Sequence, residues 1–141
     1  MTIGRIIEGR GTVVTCDVAT TVREAVAILA ERRIGAVPVM ENGEIAGIFS
    51  ERDVIYRLSE IGAGVLDMPL GHIMTASPLT VEPDTSVIAA LSLMTRRRVR
   101  HLPVMRGTEM IGLVSIGDLV KQRIDMIEHE AAAMRDYIQT A

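Results

Sequence analysis

Residues 96–120 read RRRVRHLPVMRGTEMIGLVSIGDLV, and residues 31–55 read ERRIGAVPVMENGEIAGIFSERDVI. The two align without a gap at a constant offset of 65, which sets Pro38 on Pro103, Gly47 on Gly112, Ser50 on Ser115 and Asp53 on Asp118. Carried further back, the offset pairs Thr15 with Thr80, Thr20 with Thr85, Val22 with Val87 and Ala25 with Ala90. The unit therefore spans 13–55 and 78–120, with 13 of its 43 positions identical. A duplication of this length governs the fold, because one copy alone need not be able to bury its apolar face. Two copies make a pair, not a solenoid.

Working outward from that stretch, GAVPVM at 35–40 and the apolar run 45–49 read as two strands around Glu41-Asn42-Gly43-Glu44, a hairpin signal whose four-residue loop leaves the turn type open. Ahead of them, 13–16 reads as a short strand. Thr20 or Thr21 then opens a helix with Val22, Ala25, Val26 and Leu29 at i, i+3, i+4 and i+7. Thr21 and Glu24 have capping-box spacing. Arg32 and Arg33 close the helix, where cations suit the dipole. A second helix starts at Ser50, with Val54, Ile55, Leu58 and Ile61 expected to face inward. The second copy repeats the plan: 79–82, a helix carrying Val87, Ala90, Leu91 and Met94, strands over 100–105 and 110–114, and a helix from Ser115.

The expected fold class is α+β, built from two β-α-β-β-α repeats with helices covering one face of the strands. Residues 1–61 form repeat one with its N-terminal segment, 62–69 a linker, 70–122 repeat two, and 123–141 a C-terminal helix extension. The lead-in is duplicated too, since LGHIM at 70–74 resembles GRII at 4–7 at an offset two larger. In the last helix Val120, Ile124, Ile127, Ala131, Met134 and Ile138 alternate spacings of four and three, a heptad seam. Packing on its own body is the plain reading of that seam. A helix this long overhanging a small body favours a dimer contact.

Composition bounds function. At 141 residues and 48% hydrophobic, the chain holds one composite domain rather than two independent ones. A net charge of −3 argues against a general polyanion binder. With no Trp, one Phe and two Tyr, there is little on which to stack single-stranded bases. The one cysteine, Cys16, offers no disulfide framework, and no signal peptide or membrane span is legible, so a cytoplasmic protein is expected. Cys16 reads as a small apolar filler, with a redox sensor as the alternative.

The most informative constellation is Ser50 with Asp53, repeated as Ser115 with Asp118. A Ser N-cap is worth about 1 kcal/mol and Asp at N3 can return a hydrogen bond to the cap, so structure alone could explain both pairs. Equally, a helix N-terminus is an anion site, and an adjacent Asp can accept from sugar hydroxyls.

The order of apolar strand, Pro-Val, hairpin, then GIFSERD at 47–53 and GLVSIGD at 112–118 opening a helix, resembles a tandem CBS-domain pair, or Bateman module, over nearly the whole chain. That resemblance implies repeats related by a pseudo-twofold axis, with two clefts between them that hold adenosine-containing nucleotides. It sets Asp118 and Ser115 in one cleft and Asp53 and Ser50 in the other. His101, Leu102 and Pro103, or Ala36, Val37 and Pro38, would border adenine, with Thr80 and Thr15 on the opposite wall. Repeat two has Arg98, Arg100 and His101 where repeat one has Arg33, Gly35 and Ala36. On a strand Arg98 and Arg100 point the same way and make a phosphate grip. Repeat one instead carries Arg52 in its S-x-x-D loop, so phosphate binding is expected chiefly at repeat two. Arg96 and Arg97 read as a solvated basic face.

Catalysis would need a nucleophile, base and orienting group, for which Ser115, His101 and Asp118 are the candidates. There is no G-x-S-x-G elbow, and the serines look like caps first, so no enzyme is expected. His72, His101 and His129 lie in different elements and no C-x-x-C exists, so no metal site is expected. Two functions remain. In the first, a regulatory energy sensor binds an adenine nucleotide, AMP foremost, with ADP, ATP, NAD(H) or S-adenosylmethionine as alternatives. It then signals to an effector protein as a homodimer joined through the repeat helices and the C-terminal helix. In the second, the chain is a ligand-free oligomerisation module. Neither membrane nor nucleic acid is an expected partner.

Overall fold

Sharp turns and capped helices punctuate both repeats. In the computed structural model, which describes residues 1–140, the order is α1 (Ile3–Ile7), β1 (Cys16–Asp17), α2 (Val22–Arg32), β2 (Ala36–Glu41), β3 (Glu44–Ser50), α3 (Glu51–Ile61), β4 (Thr75–Ala76), α4 (Val87–Arg97), β5 (His101–Arg106), β6 (Glu109–Ser115) and α5 (Ile116–Thr140). Glu41 pairs with Glu44, so the first hairpin loop is the two residues Asn42 and Gly43, at φ 52° and 81°. Positive φ at both positions is the requirement of the I′ turn, which follows strand twist and which Asn-Gly tolerates best. The second hairpin turns on Gly107 and Thr108, with positive φ only at Gly107. Both hairpins slip register at the same place, Val39/Met40 and Val104/Met105.

The first strand is shorter than the expected 13–16. Cys16 and Asp17 pair in parallel with Val39 and Met40, and the second copy keeps only a bridge from Val81 to Val104. Val13 and Val14 leave the ladder to line a cleft. Helices α2 and α4 begin on hydroxyl caps, Thr21 Oγ1 accepting from the Glu24 N–H at 3.2 Å and Ser86 Oγ from the Ala89 N–H at 3.1 Å.

The cores reveal an exchange. Val22, Ala25, Leu29, Val37, Val39 and Phe49 form one, and their twins Val87, Ala90, Met94, Leu102, Val104 and Val114 form the other. Leu70 and Ile73, which the sequence groups with repeat two, are buried in the first core, and Ile3 from the N-terminal segment is buried in the second. Each lead-in thus completes the other repeat. Two shared glycines make room for this: a Cβ on Gly47 would lie 2.6 Å from the Thr75 carbonyl oxygen, and one on Gly112 would lie 2.9 Å from Ile7 Cδ1. The main chain follows the same rule, with Gly4 N–H donating to the Pro83 carbonyl at 2.8 Å and Gly71 N–H to that of Val18 at 3.0 Å. Because β4 pairs with β3, the first sheet runs β1-β2-β3-β4, and β5-β6 forms the second.

The linker 62–69 packs on the first repeat: Ala63–Asp67 is a 3₁₀ turn whose Val65 is fully buried, and the Met68 carbonyl accepts from the Val22 N–H at 2.9 Å. One further expectation is corrected. Helix α3 buries none of its residues fully, and Ile55 is 64% exposed with Leu58 and Ile61 also open. Of the four residues expected inward Val54 alone packs, partly buried, on the first core, and the rest of that apolar face is uncovered among the described residues. Helix α5, 25 residues and about 37 Å long, leaves Val120, Ile124, Ile127, Met134 and Ile138 exposed. No helix among the described residues is long and apolar enough to cross a membrane.

Candidate functional site: two clefts between the repeats

Each strand β3 and β6 delivers a serine to the start of the following helix, where four backbone N–H groups lack helical partners. At Ser50 the box is closed both ways: its N–H donates to Asp53 Oδ2 at 2.9 Å and its Oγ accepts from the Asp53 N–H at 3.4 Å. Ser115 and Asp118 repeat the arrangement at 2.9 and 3.1 Å. Capping therefore engages Oδ2 of each carboxylate, while Oδ1 of Asp53 accepts from the Thr75 hydroxyl at 3.3 Å and Oδ1 of Asp118 lies 3.1 Å from Arg10 Nη2.

The Asp118 cleft, about 510 Å³, is walled by Ile111–Leu113, Ser115 and Asp118 of one repeat and by Arg33, Ile34, Gly35 and Ala36 of the other. Residues 10–14 close its side. The Asp53 cleft, about 200 Å³, is built the same way from Ile48, Ser50, Glu51, Arg52 and Asp53 against Pro78, Leu79, Arg98, Val99 and Arg100. Each cleft takes its carboxylate from one repeat and its facing wall from the other. The arginine grip expected beside Ser115 and Asp118 therefore lies opposite Ser50 and Asp53, together with Arg52. Arg98 and Arg100 precede β5 rather than alternating along it. This cleft gathers three arginines, and the Arg52 Nη1 donates to the Arg98 carbonyl at 3.0 Å.

Arg33 and Arg98 both end their helices in the left-handed region, at φ 54°. Glycine is the usual residue there, and a side chain at that φ stores strain of the kind met at functional sites. Both arginines line a cleft. His101 and Gly35 line both clefts, and a Cβ on Gly35 would stand 2.9 Å from Glu51 Oε1 and 3.4 Å from His101 Cε1. Burial pushes the His101 pKa below its ordinary value, helped by Arg100 and opposed by Asp118 and Glu51. Its ring is accordingly neutral at neutral pH. For Asp118, burial acts to raise the pKa, but hydrogen bonds from Ser115 and the adjoining Arg10 guanidinium outweigh it and hold the carboxyl below the usual range.

Of the residues the resemblance nominates, Ala36, Ser50, Arg52, Asp53, Arg98, Arg100, His101, Ser115 and Asp118 reach a cleft. Val37, Pro38, Leu102 and Pro103 are buried inside their repeats, and exposed Thr15 and Thr80 lie outside both linings. Sequence reasoning missed Arg10, which pairs with Asp118 at 3.1 Å, and Thr75, whose hydroxyl donates to Asp53 Oδ1 at 3.3 Å. Both arrive on the exchanged lead-ins. Burial, first, and then Glu24 raise the Cys16 thiol pKa, which fits a filler rather than a reactive thiolate.

The architecture is that of a two-repeat module with paired carboxylate clefts on a pseudo-twofold axis. The CBS domain family profile matches residues 10–60 and 70–125, and the chain belongs to that family. It is 37% identical over 129 residues to the mitochondrial CBS domain-containing protein CBSX3 of Arabidopsis thaliana, covering 88% of this chain and 63% of that one. A putative signal-transduction protein with CBS domains from Burkholderia ambifaria superposes with a TM-score of 0.83 at 37% identity, over 89% of this chain and 95% of its own. More distant structures of the same fold carry ligands. CBSX2 in complex with AMP has a TM-score of 0.75 at 24% identity, over 89% and 97% of the two chains. The CBS pair of MJ0100, in complex with 5′-methylthioadenosine and S-adenosyl-L-methionine, has a TM-score of 0.79 at 20% identity, over 89% and 98%.

Proposed function

We propose that this protein is a regulatory module that senses an adenosine-containing nucleotide in the clefts between its repeats. The observation that carries the reading is the pair of helix-capping carboxylates, each lining a cleft whose far wall comes from the other repeat. A ribose diol has two donors for such a carboxylate, and the positive end of the helix dipole suits a phosphate. Arg52, Arg98 and Arg100 favour a phosphate-bearing ligand in the Asp53 cleft, AMP foremost, with ADP, ATP or NAD(H) in the same class. The AMP complex of CBSX2 supports an adenosine ligand for this fold, and the MJ0100 complex extends the class to S-adenosylmethionine.

Because each cleft spans both repeats, a ligand that binds better at one inter-repeat angle shifts the population toward it. The output passes to an effector protein. We also infer a homodimer through the uncovered faces of α3 and α5, and an energy-sensing role in the cytoplasm, where a free buried Cys16 is at home. A ligand-free oligomerisation module is the rival reading, favoured by the closed capping boxes and the exposed heptad seam.

Thermal unfolding of nucleotide-stripped protein against a ligand panel separates the two. Ligand at 100 times its dissociation constant adds about 2.7 kcal/mol, which raises the midpoint by roughly 8 to 12 °C for a domain of this size. A rise with adenosine nucleotides and none with guanosine ones is expected. Folded protein that responds to neither would leave only the oligomerisation module.

A further inference from the structure

The two clefts hold their carboxylates in unlike ways. In the Asp53 cleft Oδ1 takes one 3.3 Å hydrogen bond from the neutral Thr75 hydroxyl. In the Asp118 cleft Arg10 takes that place, with Nη2 3.1 Å from Oδ1 and Nη1 3.3 Å from Oδ2. The same Nη1 donates to the Leu113 carbonyl at 3.3 Å, so the planar fork is seated on the strand as well as on the acid. Side-chain exposures of 42% for Arg10 and 30% for Asp118 make this a tie that a ligand can open.

The main chain holds Arg10 by its own N–H on the Ile7 carbonyl at 3.1 Å and is open on either side of it. Residues before it are fixed to the second core, with Ile3 N–H on the Thr85 carbonyl at 2.9 Å, Val87 N–H on that of Met1 at 3.1 Å, and the Ile3 side chain fully buried. Arg10 itself stands between Gly9, at φ 79°, and Gly11, and a Cβ at either glycine would meet nothing within 4 Å. A guanidinium on such a span can leave Asp118 without disturbing the core that holds α1.

We infer that Arg10 is a movable counter-ion of the Asp118 cleft: it clasps Asp118 while the cleft is empty, yields the carboxylate to the two sugar hydroxyls of an incoming nucleoside, and carries its charge to the ligand's 5′-phosphate. The inference rests on the nucleotide reading of the clefts. A 5′-phosphate lies one sugar ring from the diol, within the sweep of an arginine side chain. An unphosphorylated nucleoside must break the ion pair and leave the guanidinium unpaired, whereas a nucleotide exchanges one anion for another. Arg10 thereby makes this cleft selective for phosphorylated ligands. The Thr75 hydroxyl, which carries no charge, cannot impose the same condition on Asp53.

The test is calorimetric titration of the full chain with adenosine and with AMP, in an Asp53→Ala background that silences the other cleft. Arg10→Ala and Arg10→Lys are compared with Arg10, after each variant's cooperative unfolding is checked. Arg10→Ala is expected to bind adenosine two- to fivefold more tightly and AMP about tenfold more weakly, the loss of one charge-assisted contact. Arg10→Lys is expected to retain AMP binding to within about threefold, since it keeps the charge. Adenosine and AMP affinities that move together, or do not move, overturn the inference. If the Asp53→Ala protein binds neither ligand with or without Arg10, the Asp118 cleft is no nucleotide site and the inference also falls. Titration of the wild-type chain then tells whether the nucleotide reading survives at Asp53 or fails with it.

Discussion

Replacing Asp118 by alanine removes a cap and a ligand group at once, and the structure lets the two be told apart. The Asp118 N–H keeps its 3.1 Å bond to Ser115 Oγ, because that donor is backbone, whereas the 2.9 Å bond from the Ser115 N–H to the carboxylate is lost. Half a capping box with its favourable charge at the helix N-terminus is worth about 0.5–1 kcal/mol. The Arg10 pair, partly exposed on both sides, adds up to about 1 kcal/mol. A total of about 0.5–2 kcal/mol lowers the midpoint of a domain this size by roughly 2–9 °C near neutral pH. Asp118 is an acid with a depressed folded-state pKa, so its stabilisation is complete above the unfolded value and is lost as the pH falls through the folded one. The gap between wild type and variant therefore closes in acid. Nucleotide affinity at this cleft falls at least tenfold, since the diol loses a charged acceptor. Asp118→Asn sharpens the test, because its amide oxygen can still cap Ser115 while its NH₂ offers a donor where the diol needs an acceptor. It should recover much of the midpoint and little of the affinity. Scanning calorimetry and AMP titration of Asp118→Ala, Asp53→Ala and the double variant are the assay. A double variant that binds AMP like wild type, with only its midpoint reduced, would show that the carboxylates are caps and nothing more.

Two other expectations test the packing that creates the clefts. Gly47→Ala drives a Cβ to 2.6 Å from the Thr75 carbonyl oxygen, a main-chain atom that moves only with β4, while Gly112→Ala meets first the Ile7 Cδ1 at 2.9 Å, the tip of a flexible side chain. The first should cost about 1–3 kcal/mol and the second under about 1 kcal/mol; equal midpoint losses would contradict the exchanged lead-ins. On α5, Ile124→Asp with Ile127→Asp places two charges in the exposed seam. Light scattering should find a dimer for wild type and a monomer for the double variant, and a monomeric wild type would remove the proposed interface.

What could be read in advance was local chemistry. Asn42-Gly43, Thr21 and the two Ser-Asp pairs announce turns and caps through the backbone geometry that each residue type tolerates or satisfies, and all appear in their places. The duplicated apolar spacing likewise located both cores. Which lead-in completes which core was not legible, because Ile3 and Leu70 offer equivalent side chains to equivalent grooves and no local preference distinguishes them. The identical Gly47 and Gly112 did carry a signal, since a glycine kept within a strand marks a close backbone or side-chain approach. Periodicity misled at α3: it identifies an apolar face without saying what covers it, and Ile55 and Ile61 are uncovered. Arg10 escaped notice because it lies just outside the repeat, at the end of a short helix, and acquires its partner only through the exchange.

The exchange also explains why the clefts differ more than the repeats do. Each is composed from both copies, so a change such as Gly35 opposite Arg100, or Ala36 opposite His101, alters the wall facing the other copy's carboxylate. The basic residues of repeat two thus enrich the Asp53 cleft, and the Asp118 cleft is left with Arg33 and the borrowed Arg10. His101 stands where the two meet, half-buried and neutral, with Glu51 and Asp118 acting on it from opposite clefts. If anions bind in both clefts as proposed, this shared group is expected to couple their affinities, equally in both directions. AMP titrations of wild type and Asp53→Ala, each repeated with His101→Ala, check this; an affinity at Asp118 that does not depend on the other cleft would refute it.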